Sequence, residues 1–305
     1  MYDALVSADI VTADPDGDAA QLVDLLGLPS PRPNAFLEPQ GHGFRAVWLR
    51  VQRSMRSAPT RIEVIGSRPR TEPHDYVVER IAAQGSRPVR THATVLAASD
   101  IEAVRDRLVS SGVRHRVTPA SDDFPFSRIW VGVTADEPTG YDPSVDGGLW
   151  AEVVPTSHSG IPAPPDVHDA EPADALRIDA RRFLVADLDA AVRSLDSALG
   201  LVPDPVSSDS SAKYARYDFA FDRSAGIELV QPLDPDDELG RFVSRWGAGP
   251  HAIVLSVGDL GRCEEELVGR GAEPSRTSRG TGDERLLLPA TATCGTPFEI
   301  VQRCA

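Results

Sequence analysis

The sequence has few cysteines and no long apolar run, and both absences narrow the class of protein. The three cysteines, Cys263, Cys294 and Cys304, are an odd number and lack C-x-x-C spacing. This pattern favours free thiols over a disulfide framework or a thiolate zinc site. No apolar stretch approaches the roughly 18 residues of a membrane-spanning helix, and the opening Met-Tyr-Asp does not resemble a signal peptide. We therefore expect a cytoplasmic protein.

Basic residues are scarce relative to acidic ones, which gives a formal net charge of -15. Such a charge repels phosphate backbones and anionic lipid surfaces, so neither nucleic acid nor a membrane is an expected partner. One segment departs from this balance, because residues 45–70 contain seven arginines and a single acid, Glu63. This arginine-rich segment is either a solvated basic face or an anion-binding wall in the first half of the chain. A small molecule remains the expected partner.

The chain contains an internal repeat. One copy reads R-I-E-V-I-G-S, then T-H-A-T-V-L-A-A-S-D-I and a helix to Gly112; the other reads I-E-L-V-Q-P, then P-H-A-I-V-L-S-V-G-D-L and a helix to Gly271. The alignment pairs Glu63 with Glu228, His92 with His251 and Asp100 with Asp259. In both copies the glycine follows the aspartate by twelve residues. Agreement in both order and spacing indicates a duplicated unit.

A finer repeat divides each half into two. Asp14 and Asp187 are each followed thirteen residues later by the glycine of an L-G-L sequence. Each of the four units begins with an apolar strand, continues through an amphipathic helix, and ends in an apolar strand that contains a glutamate. We therefore predict an α+β chain of two tandem domains, each containing two β-α-β-β-β modules. The predicted domains are residues 1–157 and 175–305, joined by a Pro-rich linker over 158–174.

These residues resemble the vicinal oxygen chelate superfamily, which includes glyoxalases, bleomycin-resistance proteins and extradiol dioxygenases. The second half, through I-E-L-V-Q-P, P-H-A-I-V-L-S-V-G-D-L and F-E-I-V-Q, is most similar to methylmalonyl-CoA epimerase and glyoxalase-like proteins. The resemblance implies that the two modules of each domain pair to form a half-barrel cleft. It also implies a small-molecule enzyme of the isomerase, epimerase or lyase type, assisted by a divalent ion such as Zn, Ni, Mn, Co or Fe. Because one chain supplies two complete module pairs, a monomer and a homodimer are both compatible with it.

The resemblance also implies where metal ligands would lie, namely on the opening and closing strands of each module pair. The closing-strand positions match Glu228 and Glu299 in the second half, which are also the candidate catalytic residues, and Glu63 and Glu152 in the first. A carboxylate within an apolar strand is expensive to bury without a metal, an arginine or a ligand to satisfy it. Each glutamate is therefore expected to have such a partner in its cleft.

The opening strands fit the family pattern less well. The ligand positions there hold Ser7, Ala93, Ala180 and Ala252. His92 and His251 stand one residue earlier than two of these positions, and a bulge in the strand would bring them into the clefts. The favoured metal site is then Glu228, His251 and Glu299, and a second, weaker site is Glu63, His92 and Glu152. The poorer fit of the first opening strand makes the first cleft the candidate for a purely structural role.

Two alternatives use the same residues without a metal. In one, both histidines pack at strand starts while Arg182, on the cleft-facing side of its strand, neutralises the carboxylates. In the other, the protein sequesters a flat ligand, as some members of this superfamily do, in a pocket lined by tryptophans from among Trp48, Trp130, Trp150 and Trp246. The predicted pocket residues for either function are Arg182, Trp48 and Trp150. Extradiol ring cleavage is less favoured, because it needs two histidines and a carboxylate, and each half offers one histidine. The loop S-D-D-F-P-F-S at 121–127 is either an ordinary turn or a lid over the first cleft.

Overall fold

The first half of the chain forms two β-α-β-β-β modules joined by a helix. The computed structural model describes residues 2–33, 35–69, 76–133, 141–162, 176–278 and 284–303. The elements of the first half are, in chain order, β1 (Tyr2–Leu5), β2 (Ser7–Val11), α1 (Pro15–Leu26), β3 (Phe36–Leu37), β4 (Phe44–Leu49), β5 (Arg61–Ser67), α2 (Tyr76–Ala83), β6 (Thr94–Ala98), α3 (Ile101–Ser110), β7 (His115–Thr118), β8 (Arg128–Val131) and β9 (Ala151–Pro155). Strands β2 to β5 with α1 form the first module, and β6 to β9 with α3 form the second.

The second half repeats this plan. Its elements are β10 (Arg177–Leu184), α4 (Leu188–Leu199), β11 (Ser207–Ser208), β12 (Ala212–Tyr217), β13 (Gly226–Pro232), α5 (Glu238–Trp246), β14 (Gly249–Val257), α6 (Leu260–Gly269), β15 (Ser275–Ser278), β16 (Glu284–Leu288) and β17 (Phe298–Gln302). Strands β10 to β13 with α4 form the third module, and β14 to β17 with α6 form the fourth. The predicted fold class of tandem β-α-β-β-β modules is therefore confirmed.

The repeated aspartates mark where the four module helices begin. Asp14, Asp100, Asp187 and Asp259 are the N-caps of α1, α3, α4 and α6, and each side chain accepts a hydrogen bond from the backbone N–H three residues later. Such a cap satisfies one of the backbone donors that the first turn of a helix leaves free. The L-G-L glycines end α1 and α4 in the left-handed conformation, with φ of 66° at Gly27 and 67° at Gly200.

The two halves differ in how their sheets connect. In the second half β10 pairs in parallel with β13 and antiparallel with β14, so that all strands form one eight-stranded sheet. In the first half the corresponding segment is divided at Val6, with β1 pairing with β6 and β2 pairing with β5. The backbone of Val6 makes one hydrogen bond to each module: its N–H donates to the carbonyl of Val95 at 2.8 Å, and its carbonyl accepts from the amide of Arg61 at 3.1 Å. The first half therefore has separate sheets of five and four strands that meet at Val6.

The halves share a hydrophobic core. One cluster of buried side chains includes Leu22 and Ile62 from the first half and Phe183 and Leu195 from the second. Backbone hydrogen bonds also cross between the halves, as from the amide of Phe221 to the carbonyl of residue 3 at 2.7 Å. Burial of apolar surface across this contact stabilises both halves together.

The proposed domain boundary stays a prediction. Most of the predicted linker, residues 163–174, lies outside the described residues. The described part begins in a 3-10 turn at Thr156–His158, and Ser159 and Ile161 after it are buried. Among the described residues no helix is both long and apolar enough to cross a membrane. Cys263 and Cys294 are free thiols, as predicted, and Cys304 lies outside the described residues.

Candidate functional site

A cavity of about 200 Å³ lies in the first half of the chain. Four residues of the predicted sites line it, namely Trp48, Glu63, His92 and Glu152. Most of the remaining wall is apolar and includes Val6, Leu37, Phe44, Ile65, Val77, Val95 and Val154. A concave, mainly apolar cavity with a few converging polar groups is the usual form of a small-molecule site. We therefore treat this first-half cavity as the candidate site.

The closing strands of the two modules direct the carboxylates into the cavity. Because side chains alternate along a strand, Ile62 and Val64 on β5 face the hydrophobic core while Glu63 between them faces the cavity. Glu152 alternates in the same way on β9. Both glutamates are about 95% buried, so each needs a polar partner. Glu63 has one in Ser7, whose hydroxyl donates to Oε2 at 2.7 Å.

His92 lies between two carboxylates at the edge of the cavity. Its Nδ1 is 2.9 Å from Oδ2 of Asp9, and its Nε2 is 3.9 Å from Oε2 of Glu63. The imidazole is 4% exposed. Burial alone disfavours the charged ring, but the carboxylates of Glu63 and Asp9 outweigh it and raise the pKa of His92 to about 9. At neutral pH this residue is therefore an imidazolium held from behind by Asp9.

Asp9 is in turn held by groups from both halves. It accepts hydrogen bonds from the Thr91 hydroxyl at 2.7 Å and from the His92 amide at 2.6 Å. Arg181 on β10 places Nη2 3.7 Å from Oδ1, and both side chains are almost fully buried. Burial would raise the pKa of Asp9, but the His92 hydrogen bond and charge, with Arg181, lower it. The Asp9 carboxylate is thus kept ionised and fixed behind His92.

Two arginines complete the polar wall. Arg128 on β8 lies 3.6 Å from Glu152 through Nη1 and stacks 4.0 Å from the ring centre of Phe124. Arg61, the first residue of β5, stacks 4.8 Å from the ring of Trp48 and donates to the carbonyl of Ser159 at 2.8 Å. Burial lowers the pKa of Arg61, with Glu63 opposing the shift. The cavity therefore contains cations and carboxylates in close proximity.

The loop at 121–127 forms part of the cavity wall. Asp123, Phe124 and Phe126 all line the cavity, and Phe126 stacks on His158 with ring centres 5.2 Å apart. This position is the one expected if the loop is a lid over the first cleft rather than an ordinary turn.

Trp150, predicted in a pocket wall, does not line this cavity. It has a φ of 57° just before β9, and its ring stacks on Tyr141 with centres 3.6 Å apart. The amide of Trp150 donates to the Tyr141 hydroxyl at 2.9 Å, and its carbonyl accepts from Arg80 Nη1 at 2.6 Å. The prediction assumed strand alternation between Trp150 and Glu152, and the left-handed backbone at Trp150 breaks that alternation.

A salt-bridge cluster joins the two closing-strand glutamates of the second half. Arg182 is fully buried and donates through Nε to Glu228 at 2.5 Å and through Nη1 to Glu299. Arg285 donates to the other oxygen of Glu299 at 3.0 Å. Burial disfavours the charge of Arg182, but the two glutamates outweigh it and raise its pKa. These contacts are those of the alternative in which Arg182 neutralises the carboxylates.

His251 lies at a bulge in β14. Arg182 of β10 pairs with Ala252 and the next residue, Phe183, pairs with Pro250, so His251 is the extra residue between them. Its ring packs edge-on against Phe242 of α5 with ring centres 5.3 Å apart, and Phe242 packs beside Leu184 and Val230 on the cleft-facing side of the sheet. The bulge that the predicted site required for His251 is therefore present, whereas its repeat equivalent His92 precedes β6.

Neither predicted metal site presents a set of ligands that fits a divalent ion. In the second half the guanidinium of Arg182 occupies the space between Glu228 and Glu299. In the first half the Arg128 guanidinium lies 3.6 Å from Glu152, and Glu63 accepts a hydrogen bond from Ser7. Over the described ranges, no three His, Cys, Asp or Glu side chains converge as a metal site. We therefore derive no chemical step through a metal.

Several residues of the cavity were not identified from the sequence. The sequence predictions include Ser7 only as a metal-ligand position and do not include Asp9 or Arg128. Asp9 gives the same signal as the glutamates, an acid inside the apolar strand S-A-D-I-V. Arg61 belongs to the arginine-rich segment, for which an anion-binding wall was one of the two alternatives.

Known proteins resemble this chain in structure rather than in sequence. No protein-family model and no curated protein matches it. A mutant of 4-hydroxymandelate synthase from Streptomyces coelicolor aligns with a TM-score of 0.65 and 18% identity, over 99% of this chain and 93% of that one. Methylmalonyl-CoA epimerase from Mycobacterium tuberculosis aligns with a TM-score of 0.40 and 20% identity, over 45% of this chain and 94% of that one. The first of these similarities establishes the fold, and it is the fold that the sequence repeat predicts.

Proposed function

We propose that this chain, which has the fold of the vicinal oxygen chelate superfamily, is an enzyme that moves protons on a small molecule bound in the first-half cavity. The reaction class is that of isomerases, epimerases and lyases. The observation that carries the proposal is the placement of His92, fixed from behind by Asp9, with Nε2 in the cavity wall 3.9 Å from Glu63 Oε2. A base beside an acid that a third group orients is a common arrangement for proton transfer.

Glu63 is the proposed base and His92 the proposed acid. Glu63 accepts the proton of a C–H bond next to a carbonyl group, and the electron pair of that bond moves into the carbonyl to form an enolate. The His92 Nε2–H hydrogen-bonds to the oxygen on which the negative charge develops, and Asp9 stabilises the imidazolium. Return of the proton to the same carbon gives an epimer, and its return to the neighbouring carbon gives an isomer.

The cavity favours this chemistry electrostatically. Apolar side chains form most of its wall, and a water-poor surrounding strengthens the interaction between His92 and the developing enolate. The pKa of about 9 keeps His92 protonated at neutral pH, so that it can donate. The divalent ion expected from the family resemblance has no role in this proposal, because the arrangement of Glu63, His92 and Glu152 does not fit one.

Solvent deuterium exchange tests the proposal. Purified protein is incubated in D₂O with pyruvate, 2-oxobutanoate, 3-oxobutanoate and cyclohexanone, and loss of the enolisable protons is followed by ¹H NMR. We expect exchange above the buffer rate for at least one compound, and a reduction of roughly 10²-fold or more in Glu63→Gln and His92→Gln. Glu102→Gln, on the exposed face of α3, is the matched control and should exchange at the wild-type rate.

The second candidate function is ligand sequestration without catalysis. The observation that favours it is the aromatic wall, in which Trp48, Phe44, Phe124 and Phe126 surround one cavity. Aromatic walls supply much of the contact energy for flat ligands. Binding of a compound with no exchange above buffer, and with equal affinity in Glu63→Gln, would support sequestration and contradict the enzymatic proposal.

A further inference from the structure

We propose that the first-half cavity takes a small monocarboxylate with an apolar body of about one ring, and that Arg61 binds its carboxylate. This inference names the ligand class of the proposed site and rests on that site being the functional one. It starts from an imbalance among the charged groups of the cavity wall.

Among the described residues, Arg61 is the charged group of the wall that lacks a counter-charge in contact with it. Its guanidinium donates to the carbonyl of Ser159, and its buried Nε has no hydrogen-bond partner. Arg61 is partly buried, and no carboxylate of the described residues is in ion-pair contact with it. Partial burial of a cation without such a partner is costly, and the carboxylate of a ligand would offset that cost.

The other arginines show why Arg61 is singled out. Arg128 in the same wall is already in contact with Glu152. In the arginine-rich segment, Arg45 pairs with Asp16 and Glu38 on the surface, and Arg50 donates to backbone carbonyls. Of the described arginines in that segment, Arg61 is the one that lines the cavity.

Stacking fixes the direction in which Arg61 can bind. Its guanidinium lies 4.8 Å from the ring centre of Trp48, so one face of the planar group is covered by an aromatic ring. The edge of the guanidinium, where its N–H groups point, is then the available surface. An arginine edge matches the two oxygens of a carboxylate, with which it forms two parallel hydrogen bonds.

The size of the cavity limits the rest of the ligand. An apolar cavity of about 150 Å³ is enough to bind benzene, and this cavity is about 200 Å³. The side chains away from Arg61 include Phe44, Ile65, Val95 and Val154, which suit an apolar group. A carboxylate joined to one ring, or to a short branched chain, therefore fits.

The position of Arg61 also relates the carboxylate to the acid–base pair. Arg61 and Glu63 are two residues apart on β5, so their side chains leave the same face of the strand about 6.5 Å apart. A carboxylate held at Arg61 would bring a carbon two or three bonds away from it close to Glu63. The inferred substrates are thus small carboxylic acids in which that carbon is next to a carbonyl group.

Benzoate and benzamide are the probes that test the inference, since they have the same shape and differ in charge. Isothermal titration calorimetry is carried out on the wild type, Arg61→Gln, Arg61→Lys and Arg56→Gln, which removes an exposed arginine of the same segment. We expect benzoate to bind the wild type at least about tenfold more tightly than benzamide, and to lose at least about tenfold in Arg61→Gln. Arg61→Lys should retain part of the benzoate affinity, and Arg56→Gln all of it.

Equal benzoate affinity in Arg61→Gln and the wild type would overturn the inference, as would a preference for benzamide or no binding of benzoate. Circular dichroism and the melting temperature show whether each variant is folded. If Arg61→Gln leaves benzoate affinity unchanged while Glu63→Gln abolishes exchange, only the inferred ligand class is wrong. If Arg61 controls benzoate binding and Glu63→Gln exchanges normally, the catalytic proposal is wrong and the ligand class stands.

Discussion

The salt-bridge cluster of the second half gives a quantitative prediction for Arg182→Met. The change removes a fully buried guanidinium and leaves Glu228 and Glu299 facing each other without it. Removal of one partner from a buried ion pair costs about 3–5 kcal/mol. Arg285 still contacts Glu299 at 3.0 Å in the variant, and the Glu228 side chain is already 19% exposed to solvent. The cost should therefore be at the lower end of that range. We expect a loss of about 3 kcal/mol and a melting temperature lower by about 5–10 °C.

A compensated variant separates the charge effect from the loss of packing. In Arg182→Met combined with Glu228→Gln and Glu299→Gln the unpaired carboxylates are gone, and most of the lost stability should return. Urea unfolding at pH 7 followed by circular dichroism, with the melting temperature by calorimetry, measures all three proteins. A cost below about 1 kcal/mol for Arg182→Met, or a triple variant as unstable as the single one, would refute the account of this cluster.

Three further predictions concern the first half and the helix caps. Although burial disfavours the charged form of His92, the nearby carboxylates raise its pKa from 6.5 to about 9. The charged ring therefore stabilises the fold fully below pH 6.5, and this stabilisation is lost as the pH rises through about 9. The loss should be roughly 3 kcal/mol and absent in His92→Asn, as measured by urea unfolding across that range. Asp9→Asn should lower the exchange rate roughly 10²-fold, because Asp9 orients His92 without touching the ligand. Ligand affinity measured by calorimetry should change far less. A parallel loss of exchange and affinity would contradict this role. Asp187→Ala should cost about 1 kcal/mol in unfolding experiments, because it removes the N-cap of α4, and an unchanged stability would contradict the cap.

The repeat in the sequence was sufficient to predict the fold. Four aspartates at matching positions start four helices, and glycines at fixed distances end two of them in the left-handed conformation. These are local signals, because a cap depends on residues within one helical turn. The closing-strand glutamates were also placed correctly relative to their sheets, since alternation along a strand depends only on the strand itself.

The choice between the two clefts could not be made from the sequence. His92 and His251 occupy equivalent positions, but β6 begins two residues after His92, whereas β14 begins two residues before His251 and bulges at it. Regular strand alternation therefore predicts the direction of neither side chain. Where a strand begins and where it bulges depend on its partners, and Gly249 and Pro250 are included in β14 because they pair with β10.

One pair of equivalent residues accounts for the different fates of the clefts. Asp9 pairs with Glu63 across β2 and β5 as Arg182 pairs with Glu228 across β10 and β13. In the second half the cation at this position binds both closing-strand glutamates directly. In the first half the anion binds His92 instead, and a cavity remains beside Glu63. The sequence shows both residues, but it does not show which third group each one contacts.

The most direct test of the account compares the two halves in one assay. Solvent deuterium exchange of the small carbonyl compounds is measured for Glu63→Gln and for Glu299→Gln, with the melting temperature confirming that both proteins are folded. The account predicts that Glu63→Gln loses exchange by roughly 10²-fold or more. Glu299→Gln should exchange close to the wild-type rate, because Glu299 is ion-paired with Arg182 and Arg285. Loss of exchange in Glu299→Gln with full activity in Glu63→Gln would contradict it and place the functional cleft in the second half.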